Sequence, residues 1–205
     1  MAKLRLTKGE LKRQRDNLKQ FQQYLPTLQL KKQQIQIEIQ RTRAQLDKQL
    51  KEIEDAKISI QPWAGLFTER PKDFSGWVKP KTIIVSSANI ASVDIPVFER
   101  VEFEGAEYDL FSTPLWVDNA VESIQQLVIL VEHARVIKTQ ERLLRDELRI
   151  TTQRVNLLEK VKIPESRESI RRIRIYLGDQ QTNAVGRSKL AKNKIGKLQL
   201  EEATL

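Results

Sequence analysis

The chain of 205 residues has no cysteine and a single histidine, His133. Without thiols there is no disulfide framework and no thiolate metal site, a usage that fits a reducing compartment. One imidazole on a helical stretch supplies neither a ligand cluster nor a nucleophile–base pair. Aromatics make up only 6% of the residues, and glycine and proline number 7 each, too few for a turn-rich β protein or a thick globular core. Long apolar runs are missing too: the longest is "LVILV" at 127–131, against about 20 residues for a membrane-spanning helix. No direct membrane insertion is therefore expected. The start, "MAKLRLTKGELKRQRD", has no apolar stretch of the kind a secretory signal needs. The phosphate-cradling pattern G-x-x-x-x-G-K-[ST] does not occur either. "VGRSKLAKNKIGKL" is rich in Gly and Lys but wrongly spaced for it. No catalytic residue, cofactor or metal site is predicted, and the chain is read as not an enzyme in its own right.

Charge is plentiful and unevenly spread. The net charge is +9. Residues 3–19 carry seven Lys/Arg against Glu10 and Asp16, and residues 180–200 carry Arg187, Lys189, Lys192, Lys194 and Lys197 with no acid. Between 94 and 122 eight Asp/Glu face a single Arg100.

The other abundant signal is heptad spacing. Leu11, Leu18, Leu25, Ile39, Leu46, Ile53 and Ile60 share one phase, interrupted only by Lys32. Phe21, Leu28 and Ile35 hold the complementary phase until Thr42 and Gln49 weaken it. Sustained over about seven heptads, this is a coiled-coil seam, and residues 4–60 would run roughly 85 Å at about 1.5 Å per residue. A second seam comprises Leu127, Leu130, Ala134, Ile137, Leu144, Leu148, Val155 and Leu158, with Glu141 and Thr151 as polar intrusions. Pro164 is expected to end it, "PESRES" to restart a helix, and Ile170, Ile173, Leu177, Ala184 and Ala191 to carry the rhythm on.

Residues 62–115 lack heptads and hold five of the seven prolines. "TIIVSSANI" is β-branched, and "VFERVEF" alternates with period two, the mark of a half-buried strand. The predicted fold class is mainly α: a long antiparallel two-helix coiled coil with a small β-hairpin-containing cap at one end, formed by the middle of the sequence. The boundaries are 1–61 for the first helix, 62–115 for the middle segment and 116–205 for the returning helix with its basic tail. Leu18, Leu25, Ile39 and Ile53 should face Leu130, Ile137, Leu144 or Leu148. The acidic cap lies at one end, with Trp77, Phe98, Phe103 and Trp116 around it as a docking patch or as the cap's own core. Both basic segments lie at the other end.

Pro26 stands out, because proline costs about 3 kcal/mol in a helix interior. Losing the bond to the Gln22 carbonyl is expected to bend the helix there. The candidate partner-binding residues are the cations of the basic tip: Lys3, Arg5, Lys8, Arg187, Lys189, Lys192 and Lys194. Exposed ion pairs are worth only about 0–1 kcal/mol each. A basic-ended scaffold or a nucleic-acid binder is the alternative, though the tail lacks the interleaved aromatics that stack on bases.

Three separated blocks, in order, resemble one family. "LRLTKGELKRQRDNLKQFQQYLPTLQLKKQQI", "IPVFERVEF" with "TPLWVDNAV", and "IRRIRIYLGDQQTNAVGRSKLAKNKI" are similar to the D subunits of V-type ATPases. The resemblance implies a central rotor shaft inserted into a hexamer of A and B subunits. It also implies pairing with the small F subunit and seating on a cup-shaped subunit above the membrane ring, with ATP synthesis or hydrolysis coupled to H⁺ or Na⁺ movement. The chain would then be cytoplasmic, peripheral to the membrane through that complex, and no nucleic-acid partner is expected.

Overall fold

A computed structural model describes residues 4–69, 74–105 and 113–202. It is mainly α, an antiparallel two-helix coiled coil with one β-hairpin between the helices. Helix α1 spans Lys8–Ile60. It starts at Thr7, whose Oγ1 accepts from the Glu10 N–H at 3.2 Å. Thr7 and Glu10 have the spacing of a capping box, and this start leaves residues 4–6 outside the helix that was expected to include them. Pro26 lies inside α1 without interrupting it. Near it, Thr27 Oγ1 donates to the Tyr24 carbonyl at 2.8 Å.

After α1 come a 3₁₀ stretch, Gln61–Glu69, and the short helix α2, Phe74–Val78. Strands β1 (Pro80–Ile90) and β2 (Val93–Phe103) form the hairpin. Helix α3 (Trp116–Leu157) then passes through a π-turn, Leu158–Lys162, into α4, Ile163–Glu202. Pro164 thus does not end the helix. Its missing N–H and its ring, which would press on the Lys160 carbonyl, are accommodated directly after a widened turn rather than in a regular one.

The chain forms two compact units: residues Leu30–Thr151, and Met1–Gln29 together with Thr152–Leu205. In the first, α1 buries Ile35, Ile39, Thr42, Gln49 and Ile53. Thr42 and Gln49, which weaken the seam in sequence, remain in it with their polar atoms engaged. Thr42 Oγ1 donates to the Glu38 carbonyl at 2.8 Å and Gln49 Nε2 to Glu52 at 3.0 Å. Opposite them α3 buries Ala134, Ile137, Leu144 and Thr151. One core cluster joins Ile35, Ile39, Leu144 and the hairpin's Ile95, with Leu148, Ala88, Ile90, Ala91 and Val93 packed on it. Ile39 lies with Leu144 and Leu148 as the heptad reading expects, whereas Leu18 and Leu25 belong to the other unit and not to that of residues 130–148.

The hairpin does not close the end of the helix pair. It lies along the flank, because its apolar tip supplies the third side of the Ile35–Leu144 core. Gln140 Nε2 donates to the Pro96 carbonyl at 2.5 Å, and Phe98 stacks on His133 with centroids 4.9 Å apart. Its two-residue turn, Ala91–Ser92, has φ of 51° and 64°. This left-handed pair favours glycine or asparagine and costs alanine or serine about 1–2 kcal/mol each. Packing of Ala91 on the core holds it in place. Trp63, Phe67, Phe74, Trp77 and Trp116 instead gather over Val117, Ala120 and Val121 as a second core. The aromatics of the middle segment are thus divided, with Phe98 serving the hairpin and the tryptophans serving this second core.

In the other unit Val155, Ile163, Ser166, Ile170 and Ile173 are buried on the α3–α4 side. On α1, Leu11, Gln14, Leu18, Phe21, Leu25 and Leu28 are half-buried at three-and-four spacing. Leu177 is the last half-buried seam residue before a long exposed run, and Ala184 and Ala191 lie in the open. The expected continuation of the seam through those alanines therefore fails. A methyl group contributes too little buried area to hold a helix by itself.

Candidate partner-binding surfaces

Two kinds of charged site are present, one paired within the protein and one left open. The paired site lies between α1 and α3. Lys31 Nζ meets Glu147 Oε1 at 2.8 Å, and Arg43 Nε meets Glu141 Oε1 at 2.7 Å. Arg145, one turn on, donates to the same Glu141 oxygen at 2.5 Å. The hydrogen bond from Arg43 holds the Glu141 carboxyl below the usual glutamate range. Partial burial works against it, and Arg145 reinforces it. Glu141 enters an apolar seam in sequence because a guanidinium from the other helix reaches across to it. Further along, Glu168 is held down to about 2 by hydrogen bonds from Arg171 and then Arg172 on the same helix. Both pairings lie on exposed surface.

The open site is the C-terminal part of α4. Arg187, Lys189, Lys192 and Lys194 are all exposed on it, and none is ion-paired among the described residues. Lys8 is exposed at the start of α1 and Arg5 just before it, and Lys3 lies outside the described residues. No hydrogen bond or ion pair among the described residues joins the N-terminal cations to those of α4. From the last buried residue, Ile173, to Arg187 the helix climbs about 21 Å at about 1.5 Å per residue. The four α4 cations therefore stand well beyond the packed seam.

A reading based on charge alone misses the apolar side chains among these cations. Ile175, Val185, Leu190 and Ile195 are 54%, 56%, 65% and 57% exposed. At about 100° per residue they point to different sides of the helix rather than forming one stripe. They are scattered over an otherwise polar and basic surface. The signal was present in the spacing of Val185, Leu190 and Ile195, which follows no heptad.

Among the described residues, no helix is long and apolar enough to cross a membrane. Among the described residues, the far part of α4 is basic, carries four scattered exposed apolar side chains and has no buried residue after Ile173. Residues 10–193 match the family model of the ATP synthase D subunit. The chain is 45% identical over 197 residues to the V-type ATP synthase D subunit of Borreliella burgdorferi, covering 95% of this chain and 96% of that protein. It is 34% identical over 200 residues to the protein of the same name from Chlamydia muridarum, covering 95% and 97%. The Chlamydia felis relative is 31% identical over 196 residues, covering 95% and 94%. The chain belongs to the family of V-type ATP synthase D subunits.

Proposed function

We propose that this chain is the central-stalk rotor of a V-type ATP synthase. In this role it carries torque between the hexamer of A and B subunits and the membrane ring, and so couples ATP synthesis or hydrolysis to proton or sodium movement. The observation that carries the reading is the far part of α4. Among the described residues its cations are not ion-paired, its large apolar side chains are exposed on different sides, and none of its residues after Ile173 is buried. A segment of this kind suits the bore of a ring of subunits. Charge attraction acts there over several ångströms, and no single deep contact traps the shaft at one angle.

In this reading the α4 cations Arg187, Lys189, Lys192 and Lys194 face the inner wall of the hexamer, together with Lys3, Arg5 and Lys8. The small F subunit packs on the helix pair beside the hairpin, and the tryptophan-rich end of α3 rests on the cup-shaped subunit. The chain performs no catalysis and binds no cofactor, and the nucleotide chemistry belongs to the A and B subunits. Pro26 bends α1, making the rotor eccentric, so that the three catalytic interfaces feel different pressure at each angle. Localisation follows as cytoplasmic, peripheral to the membrane through the complex.

The test is assembly. Reversing Lys189, Lys192 and Lys194 to glutamate should weaken association with the A and B hexamer, and more at low than at high ionic strength, because salt screens the attraction. Unchanged assembly at low salt would remove the tip from the interface. A scaffold that binds nucleic acid would instead co-purify with RNA or DNA and lose it in salt.

A further inference from the structure

We infer that the π-turn Leu158–Lys162 is a one-residue phase insertion that keeps the seam in register through Pro164, and that it is the torsional weak point of the α3–α4 helix. The inference does not depend on the rotor reading. Buried positions repeat by sevens on each side of the turn, from Leu144 to Thr151 before it and from Ile163 to Ile170 and Ser166 to Ile173 after it. Across the turn the step from Val155 to Ile163 is eight residues. In a regular α-helix one added residue would rotate everything downstream by about 100°, turning Ile163, Ile170 and Ile173 out of the seam. The widened turn holds the extra residue instead. Its Ile163 N–H donates to the Leu158 carbonyl, five residues back.

The side chains pin the insertion to this place. Were it moved beyond Ile163, the phase of Thr151 and Val155 would carry Lys162, Glu165 and Arg172 into the seam. Were it moved before Val155, the phase of Ile163 would bring in Arg149 and Asn156. Val155 is the last buried residue of the upstream phase and Ile163 the first of the downstream one, so the extra residue falls between them. Pro164 adds a second lock. It has no N–H to donate, and in a regular helix its ring would press on the Lys160 carbonyl.

The same features make the turn weak. Regular i→i−4 bonding is interrupted, no side chain of Leu158–Lys162 is buried, and Pro164 withholds a donor. Twist applied along the helix should be taken up here, where opening disturbs little burial, rather than in the flanks, where Val155 and Ile163 would be exposed.

Amide hydrogen exchange on the full chain tests the weakness. The amides of residues 159–163 and 165 should exchange about tenfold or more faster than those of 144–157 and 166–173. Equal rates would overturn the claim of a weak point. A variant lacking Glu159 and carrying Pro164→Ala tests the phase. It converts the eight-residue step to seven and removes the proline, so it should unfold cooperatively at or above the wild-type midpoint and exchange slowly throughout. Deleting the exposed Asp146, a single-residue loss where no insertion exists, should instead lower the midpoint sharply. If the Glu159 deletion with Pro164→Ala is damaged as much as the Asp146 deletion, the π-turn is not the phase reset.

Discussion

The stretch of α3 around Leu144 and the stretch of α4 from Gly178 to Ile195 are both continuous helix, but for opposite physical reasons. Leu144 is 0% exposed, enclosed by Ile35, Ile39 and Ile95 from α1 and the hairpin. From Gly178 to Ile195 every residue is exposed, and Gly178, Gly186 and Gly196 fall in or beside the stretch. The first region is helical because tertiary burial makes it so. The second draws only on local propensity, weakened by glycine, and keeps its apolar side chains in water. The difference separates what this chain stabilises by itself from what it offers to others. The same division appears in the charges, with Glu141 and Glu147 paired across the helices and Lys189, Lys192 and Lys194 without partners among the described residues.

The largest effect should come from the enclosed side. Leu144→Ala removes a fully buried side chain shared by both helices and the hairpin, and should cost about 2–5 kcal/mol of unfolding free energy. Urea unfolding followed by far-UV circular dichroism measures it. A loss below about 1 kcal/mol would mean that the core collapses around the gap or that the cluster carries little of the stability.

A smaller effect is expected at Glu141. Glu141→Gln removes the charge that Arg43 and Arg145 share, and should cost about 1 kcal/mol, since both arginines are largely exposed and water screens the pair. The carboxyl is depressed in the folded protein. Its contribution is therefore fully present above the unfolded glutamate value, 4.5, and is lost as pH falls through the lower folded one. The gap between wild type and Glu141→Gln should thus be constant near neutrality and close in acid. A gap that widens toward acid would contradict the assigned pairing.

Much of this contrast was legible in the sequence. Two heptad seams separated by a strand-like insert identified the antiparallel helix pair, because period is a strong signal over many turns, but they left its register open. The two strands were legible from β-branched runs and alternation. Three features lay beyond local pattern. The hairpin's position along the flank depends on Ile90, Val93 and Ile95 matching a particular core, which no short stretch encodes. Pro164 reads as a stop because proline rules describe regular α-helices, whereas the chain passes it after a π-turn. The eight-residue step from Val155 to Ile163 was the available clue. Ala184 and Ala191 kept the period of a seam without the bulk to make one. For the basic tip, sequence supplied the cations Arg187, Lys189, Lys192 and Lys194. That none of them is ion-paired among the described residues, and that Val185, Leu190 and Ile195 stand exposed among them, emerges only from the fold.

The smallest effect on global stability should come from Gly186→Ala, and it sharpens the comparison most directly. A Cβ at this position meets nothing within 4 Å, so the substitution adds helix propensity without adding or breaking a contact. In an exposed helix interior that exchange favours the helix locally by about 1 kcal/mol. If residues 178–195 are held by propensity alone, helical content should rise measurably by circular dichroism, and exchange of the surrounding amides should slow. The urea midpoint of the Leu144 core should stay where it is, because the two regions share no burial. A midpoint that rose together with the helical content would show that the end of α4 unfolds as one unit with the enclosed seam. The contrast between a self-supported helix and one awaiting cover would then fail.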